Sequence, residues 1–365
     1  MKGKIIGIII FVVVVAAAIL ISVFSGQGQL LGLGGNAVTV KGYVGGEKLG
    51  FLADEEVVRI LKDKYGLTVD DTRAGSIEMA GYDTTGVDFL FPSSQTAYEI
   101  FRNRYGGQGY KGEKVFFSPI VLYSWDEVAK ALTAHGLCAE QTGGYFTTDI
   151  SKLIPEVLNK TNWSDFGLDI YGNFKIISTD PNKSNSGTMY AALLANMLNG
   201  GNVVDATSVQ KVAGDVKQVF TMLGQMESSS GNMFSRYLNL GMGESPIIVG
   251  YENQIIEFAM SDPELWSKVQ SKVALIYPEP TVWSEHYLIA LTENGEKLLT
   301  ALMDEDIQRI AWERHGFRTG ETAYGIDAQT LEALGISENI NKVVPVPDEN
   351  SMIQLLDYID TNTEE

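Results

Sequence analysis

From Val38 onward the sequence alternates short runs of β-branched and aromatic residues with amphipathic helical stretches, and the early runs each stop at a small or polar loop. That alternation predicts α/β layers built on a largely parallel sheet. Val38–Val44 reads as a first strand, with Gly45-Gly46-Glu47-Lys48 at its carboxyl end. Asp54-Glu55-Glu56 opens a helix that sets Val57, Val58, Leu61 and Tyr65 on one face, its acidic first turn suiting the helix dipole. Leu67–Thr72 is a second strand, closed by Ala74-Gly75-Ser76. Val87–Phe91 is a third and ends in Pro92-Ser93-Ser94, ahead of a helix carrying Tyr98, Phe101 and Tyr105 on one stripe.

Val115–Ser124 is nearly all apolar but holds Pro119 in its middle. A central strand disfavours that proline, whereas a segment crossing between two lobes accepts it. Helices over Trp125–His135 and Ser151–Leu158 come next, then a strand, Phe174–Ser178. A polar loop follows, and Met189, Tyr190, Leu193, Leu194 and Met197 form the buried stripe of the helix after it. Further helices are expected over Ser208–Met226 and Ser230–Leu240, and a strand over Pro246–Tyr251 that ends in Glu252-Asn253. Ala274–Pro280 reads as a second crossing, Glu296–Arg314 as helix, and a last helix lies near Asn350–Tyr358.

The first turn of sequence is of another kind. Two lysines in Met1-Lys-Gly-Lys4 precede Ile5–Phe24, an uncharged apolar run as long as a bilayer core is thick. It is read as a membrane helix with the lysines inside and the rest of the chain outside. Val23-Phe24-Ser25 is only a passable cleavage site, so residues 1–25 are expected to remain as a signal anchor, followed by a glycine-rich tether over 26–37. The alternative is a secreted protein whose leader is removed. The formal charge of −19 becomes about −21 beyond the two leading lysines, a field that repels nucleic acid and anionic lipid surfaces. With Cys138 alone there is no intramolecular disulfide and no thiol-rich metal site, and His135, His286 and His315 lack ligand spacing and read as structural.

Ligands of open α/β sheets bind at the carboxyl ends of strands, where helix N-termini expose unpaired N–H groups. Ser93-Ser94 occupies such a place, and so does Ser184-Asn185-Ser186-Gly187-Thr188, where every residue is small or polar. A single N-cap would explain either loop alone, but the second is richer than a cap needs. Hydroxyls and free N–H groups together can hold an oxyanion or carboxylate, and Gly187 would let a ligand approach the backbone. Catalytic signatures are weak: there is no Gly-x-x-x-x-Gly-Lys loop, no Gly-x-Ser-x-Gly elbow, and Ser208-Val-Gln-Lys211 lacks the partner motifs of serine acylases. No catalytic residue, metal or cofactor is therefore expected, and of all classes the sequence supports a serine hydrolase least.

In their order, these motifs resemble the extracytoplasmic solute-binding proteins of the two-lobed, type 2 periplasmic-binding class, nearest the oxyanion-binding branch that serves ABC importers. The resemblance spans about residues 38–320. It is carried by Val87-Asp-Phe-Leu-Phe-Pro-Ser-Ser94, Phe117-Ser-Pro-Ile-Val-Leu122, Ser178-Thr-Asp-Pro181 with Ser186-Gly-Thr188, Val249-Gly-Tyr-Glu-Asn253, Ile276-Tyr-Pro-Glu-Pro280, and Glu305-Asp-Ile-Gln308 with Gly316-Phe317. It implies an α/β, two-lobed fold with two interlobe crossovers behind the N-terminal membrane helix, lobe 1 from 38–120 and 281–365 and lobe 2 from 121–280. It also implies ligand contacts from Ser93 and Ser94 in one lobe and from Asn185, Ser186, Gly187 and Thr188 in the other. Tyr251 and Glu252 fall in a further ligand loop, and Glu47, Lys48 and Ser76 lie at strand ends facing the same cleft. Glu252 is at odds with an anion site unless it faces away or pairs with Lys48. The expected function is capture of a small polar solute, with an oxyanion one candidate, for a membrane permease; the alternative is a ligand sensor signalling to a membrane partner through the same cleft.

Overall fold

The computed structural model describes residues 37–106, 109–319 and 328–360. The anchor expected over residues 1–25 lies outside them, and among the described residues no helix is long and apolar enough to cross a membrane. From Val38 the chain forms one compact unit. Its strands are β1 (Val38–Val44), β2 (Leu67–Arg73), β3 (Phe89–Phe91), β4 (Lys111–Trp125), β5 (Ala139–Glu140), β6 (Phe146–Thr148), β7 (Ile247–Tyr251), β8 (Val273–Pro278) and β9 (Trp283–Ala290).

Two half-sheets share β4, which is 15 residues long. Lys111–Pro119 pairs with β9 in the first half, and Ile120–Trp125 pairs with β7 and β8 in the second. Pro119 stands where the partner changes, so its missing N–H interrupts no ladder within either half. The segment is thus a strand and a crossing at once, and the return runs from Pro278 to Trp283, between β8 and β9. The sheet is mixed rather than largely parallel. β1 is parallel to β2 and β3, and β6 to β8, but β4 and β9 run antiparallel to every strand beside them.

Alternation along the strands feeds two faces of the first half-sheet. Phe89 and Phe91 pack with Val40, Val44, Phe116 and Phe317 on one side, while Leu90 and Ile289 pack with Met79, Ala97 and Phe101 on the other. The second lobe is built around the helix Asn185–Leu198, in which every residue through Met197 is buried. The sequence showed one apolar stripe there, whereas Ala191, Ala192 and Ala195 complete a helix covered on all sides. Phe174–Ser178 forms no continuous strand: only Ile177 bridges to Ile248, because proximity to β7 ends after one residue pair. The long helix expected over Glu296–Arg314 is two, Glu293–Leu302 and Glu305–Glu313, the second opened by the Asp304 N-cap, whose carboxylate accepts from Asp306 N–H. From Leu331 to Ile359 the buried apolar side chains join the second lobe's core, with the helix Glu349–Ile359 against Val209–Thr221.

Candidate functional site

Four N-terminal turns meet in the cleft between the lobes. The first lobe brings the 3-10 turn Gly46–Lys48 after β1 and the short helix Ser76–Ala80 after β2. The second brings the N-termini of Asn185–Leu198 and Ser230–Leu240, the latter capped by Ser229. Arg73 and Lys183 stand among them, and the cavity they enclose is about 30 Å³. That is room for about one water, so the lobes are closed on each other.

Behind Glu47, which lines this cleft from the first lobe, Lys48 is completely buried. Its ammonium lies 2.5 Å from Glu47 Oε1, 2.5 Å from Ser93 Oγ and 3.2 Å from His286 Nδ1, and 4.8 Å from the centre of the Phe91 ring. The Ser93 hydroxyl accepts from Lys48 and donates to the Glu47 carboxylate, and its own N–H donates to Ser76 Oγ at 2.9 Å. Burial by itself would raise the Glu47 carboxyl, but the charge on Lys48, aided by His286 and by hydrogen bonds from Lys48 and Ser93, holds it at about 2. Burial lowers the Lys48 ammonium against the pull of Glu47. Burial and then the Lys48 charge push His286 well below its usual range, leaving a neutral ring whose Nδ1 accepts from Lys48.

Across the cleft, Asn185 Nδ2 donates to Ser93 O at 2.6 Å and to the Tyr251 hydroxyl at 3.1 Å, with Ser284 Oγ at 3.3 Å. Ser284 Oγ also donates to Ser93 O at 2.7 Å, and Arg73 Nη2 reaches Ser228 O at 3.2 Å. Tyr251 is fully buried, and burial together with the nearby Glu47 charge keeps its hydroxyl protonated, well above the usual phenol range. Asn185 Oδ1 is buried with no hydrogen-bond partner.

The structure therefore brings Glu47, Lys48, Ser76, Ser93, Asn185 and Tyr251 together. The other expected site residues are engaged elsewhere. Ser94 is the N-cap of Gln95–Tyr105, accepting from Ala97 N–H at 3.3 Å. Ser186 Oγ is 2.7 Å from Thr179 Oγ1, and Thr188 Oγ1 donates to Pro181 O at 2.7 Å. Gly187 is pressed against the same loop: a Cβ there would meet Thr179 O at 2.4 Å and Pro181 Cα at 2.9 Å. Here the close backbone approach is made by residues 179–181. Glu252 turns away from the cleft and is held by Arg318, with Nε 2.7 Å from Oε2 and Nη2 2.9 Å from Oε1, and by the Tyr277 hydroxyl at 2.7 Å.

Arg73 and Ser228-Ser229-Ser230 line the cleft without having been singled out in the sequence. The serine run before a helix is the same signal that marks Ser184–Thr188, and Arg73 is the last residue of a strand that ends at the Ala74-Gly75-Ser76 loop. His286, read as structural, lies inside the Lys48 network; its place on β9 beside β4 has no local signature in sequence.

Solved structures place this architecture. The sulfate-binding protein SubI from Mycobacterium tuberculosis H37Rv superposes with a TM-score of 0.52 at 13% identity, covering 86% of this chain and 95% of its own. This is the fold of the type 2 periplasmic solute-binding proteins. The periplasmic binding protein AfuA from Actinobacillus pleuropneumoniae, with fructose-6-phosphate bound, gives 0.53 at 12% identity, covering 87% and 96%. Ferric ion-binding protein A from Pasteurella haemolytica gives 0.54 at 14% identity, covering 89% and 99%. No protein-family model and no curated protein matches the sequence. Among the described residues no group of three or more histidine, cysteine or carboxylate side chains is arranged to hold a metal ion.

Proposed function

We propose that the chain is a solute-binding protein that closes its two lobes on a small anion and hands it to a membrane permease. The observation that carries this reading is the convergence of four N-terminal turns, two from each lobe, on one cleft that also holds Arg73 and Lys183. Unpaired N–H groups and the positive ends of helix dipoles favour an anion there, and Arg73 supplies a planar fork for an oxyanion. One solved neighbour in fold is named as a sulfate-binding protein and another is solved with fructose-6-phosphate bound, which fits that ligand class. Glu252 does not oppose it, because its charge is spent on Arg318 outside the cleft.

We take lobe 1 as β1 to the first part of β4 plus β9 to Arg318, and lobe 2 as the rest of β4 to β8 plus the C-terminal helices. In this reading the two crossings are the hinge, a ligand bridging both lobes favours the closed form, and the bonds from Asn185 to Ser93 and from Arg73 to Ser228 are made only on closure. The apolar run Ile5–Phe24 would hold the protein at the outer face of the cell membrane beside its permease. A thermal-shift screen of sulfate, inorganic phosphate, sugar phosphates, amino acids and neutral sugars on the full chain tests the ligand class, since a ligand binding only the folded state raises Tm. Anions should raise it, and Arg73→Ala should weaken the effective anion by about tenfold or more. Stabilisation by neutral sugars alone would sink the reading.

A further inference from the structure

We propose that the Glu47 carboxylate is an intramolecular occupant of the cleft's anion site, which an incoming anion must displace from Lys48 and Ser93. This rests on the anion-binding reading above and adds what fills the site when no solute does.

Three features of the geometry carry it. An ammonium has three N–H donors, and those of Lys48 are committed to Glu47, Ser93 and His286. With its neighbour's carboxylate in place, this buried ammonium beneath the cleft offers nothing to a ligand. Second, Ser93 comes from a different loop, after β3, yet its hydroxyl and the Lys48 ammonium converge on the same oxygen, Glu47 Oε1. Donors from two separate strand ends aimed at one acidic oxygen are what an oxyanion needs. Third, the carboxylate curls back over Gly45: a Cβ at that position would lie 2.4 Å from Glu47 Oε1 and 2.7 Å from Ser93 Oγ. The absence of a side chain at Gly45 is what allows the glutamate to fold inward.

Two orphaned polar atoms, one from each lobe, agree with a site filled from within by an imperfect fit. Asn185 lines the cleft and its Oδ1 is buried without a partner, and His286 Nε2, on β9, is likewise buried and unpartnered. Glu47 itself lines the cleft, so a swing of its side chain toward the opening would vacate Lys48 and Ser93 without moving the backbone of either loop. An apparent dissociation constant is the intrinsic one divided by the fraction of molecules in which the site is free. Self-occupancy therefore lowers anion affinity and sets a threshold concentration for capture.

The test measures sulfate and inorganic phosphate binding by calorimetry on the full chain in detergent. Its variants are Glu47→Gln, Glu47→Asp, Arg73→Ala and, as a charge control outside the site, Glu227→Gln. Glu47→Gln should bind the better anion at least about tenfold more tightly than the parent, and Glu47→Asp, one methylene too short to span to Ser93, should fall between. Glu227→Gln removes the same unit of charge near Ser228 and should change affinity less than about twofold. If the parent binds anion and Arg73→Ala weakens it, but Glu47→Gln and Glu47→Asp bind no more tightly, self-occupancy is wrong and the anion-binding reading survives. If Glu227→Gln gains as much as Glu47→Gln, the effect is one of general charge and the proposal is equally overturned. If no variant binds either anion, both the proposal and the reading beneath it fail. Thermal melts of each variant show whether it folds, and Glu47→Asp keeps the question open to refutation if Glu47→Gln does not.

Discussion

Replacing Arg318 with methionine should cost this protein more stability than the loss of any exposed ion pair. Glu252 is fully buried and accepts three hydrogen bonds, two of them from Arg318 and one from Tyr277. Removing the guanidinium strands a carboxylate in the core with the tyrosine as its only donor, and breaking a buried pair in this way costs about 3–5 kcal/mol. Arg318 also donates to Ser337 O and Glu338 O, so the C-terminal segment loses its fastening to the strand region, at about 0.5–1.5 kcal/mol per bond. For a chain of this size each kcal/mol lowers Tm by about 2 °C, which puts the loss at roughly 8–16 °C. Circular dichroism melts at pH 7 read it directly. The double variant Arg318→Met with Glu252→Gln should melt well above the single one, because the amide leaves no buried charge behind. A single variant within about 2 °C of the parent, or a double variant below the single, would refute the account of Glu252 as a charge neutralised away from the cleft. For comparison, Lys268→Ala breaks the exposed pair with Glu264 and should move Tm by less than about 1 °C.

Gly187→Ala should destabilise by about 1–3 kcal/mol, since its Cβ meets backbone atoms of Thr179 and Pro181 that have nowhere to go; an unchanged urea midpoint would mean that this loop is not packed as described. Stability should fall with acid in two stages of known sign. His286 is held neutral in the fold, so the unfolded chain takes up a proton that the native one refuses as pH drops below about 6.5. Glu47 is depressed from 4.5 to about 2, so its contribution is full above 4.5 and is lost as pH falls from there toward 2. Urea midpoints of the parent and of Glu47→Gln should accordingly converge over that lower window, and parallel curves would sink the claim. Cys138 is buried, and burial, only partly countered by the Thr148 hydroxyl, pushes its thiol up to about 12. A thiol reagent should leave it untouched in the native protein at pH 8 and titrate one group after denaturation.

The strands that position the cleft were legible because their signals are local. Val38–Val44 and Leu67–Thr72 are β-rich runs stopped by small residues, and the N-cap of Glu55–Tyr65 is written in Asp54-Glu55-Glu56. The antiparallel course of β4 and β9 was not legible, because direction depends on pairing between segments far apart in sequence. The same limit separates Ser93 from Ser94. Both are small polar residues at a strand end, yet one hydroxyl points at Lys48 and its neighbour caps a helix. Composition marks such a loop as a place for donors, and only the backbone path through it decides which hydroxyl turns inward. The Ser184–Thr188 loop shows this most clearly: Asn185 alone crosses to the first lobe, while Ser186, Gly187 and Thr188 tie the helix start to residues 179–181.

The charge balance of the cleft follows from these pairings. Glu252 looked in sequence at odds with an anion site, but its neutralisation by Arg318 removes it from the count. Lys48 and Glu47 cancel each other within the floor, and Lys183 is matched by Asp180 at 3.1 Å. Arg73, whose contact across the cleft is to the carbonyl oxygen of Ser228, is then the cleft cation without a carboxylate partner among the described ion pairs. On the anion-binding proposal, a neutral floor under one unmatched guanidinium and four N-terminal turns serves an anion of low charge, even on a chain whose formal charge is −19. Long-range attraction cannot be what brings that anion in, because the whole surface repels it. Capture then rests on short-range donors that act only once the lobes close. Affinity should therefore rise with ionic strength at low salt, as screening removes the repulsion between the chain and its ligand, and then level off once the Debye length is shorter than the depth of the cleft. Affinity that falls steadily with added sodium chloride would point instead to exposed cations as the source of binding, and would move the site from the cleft to the surface.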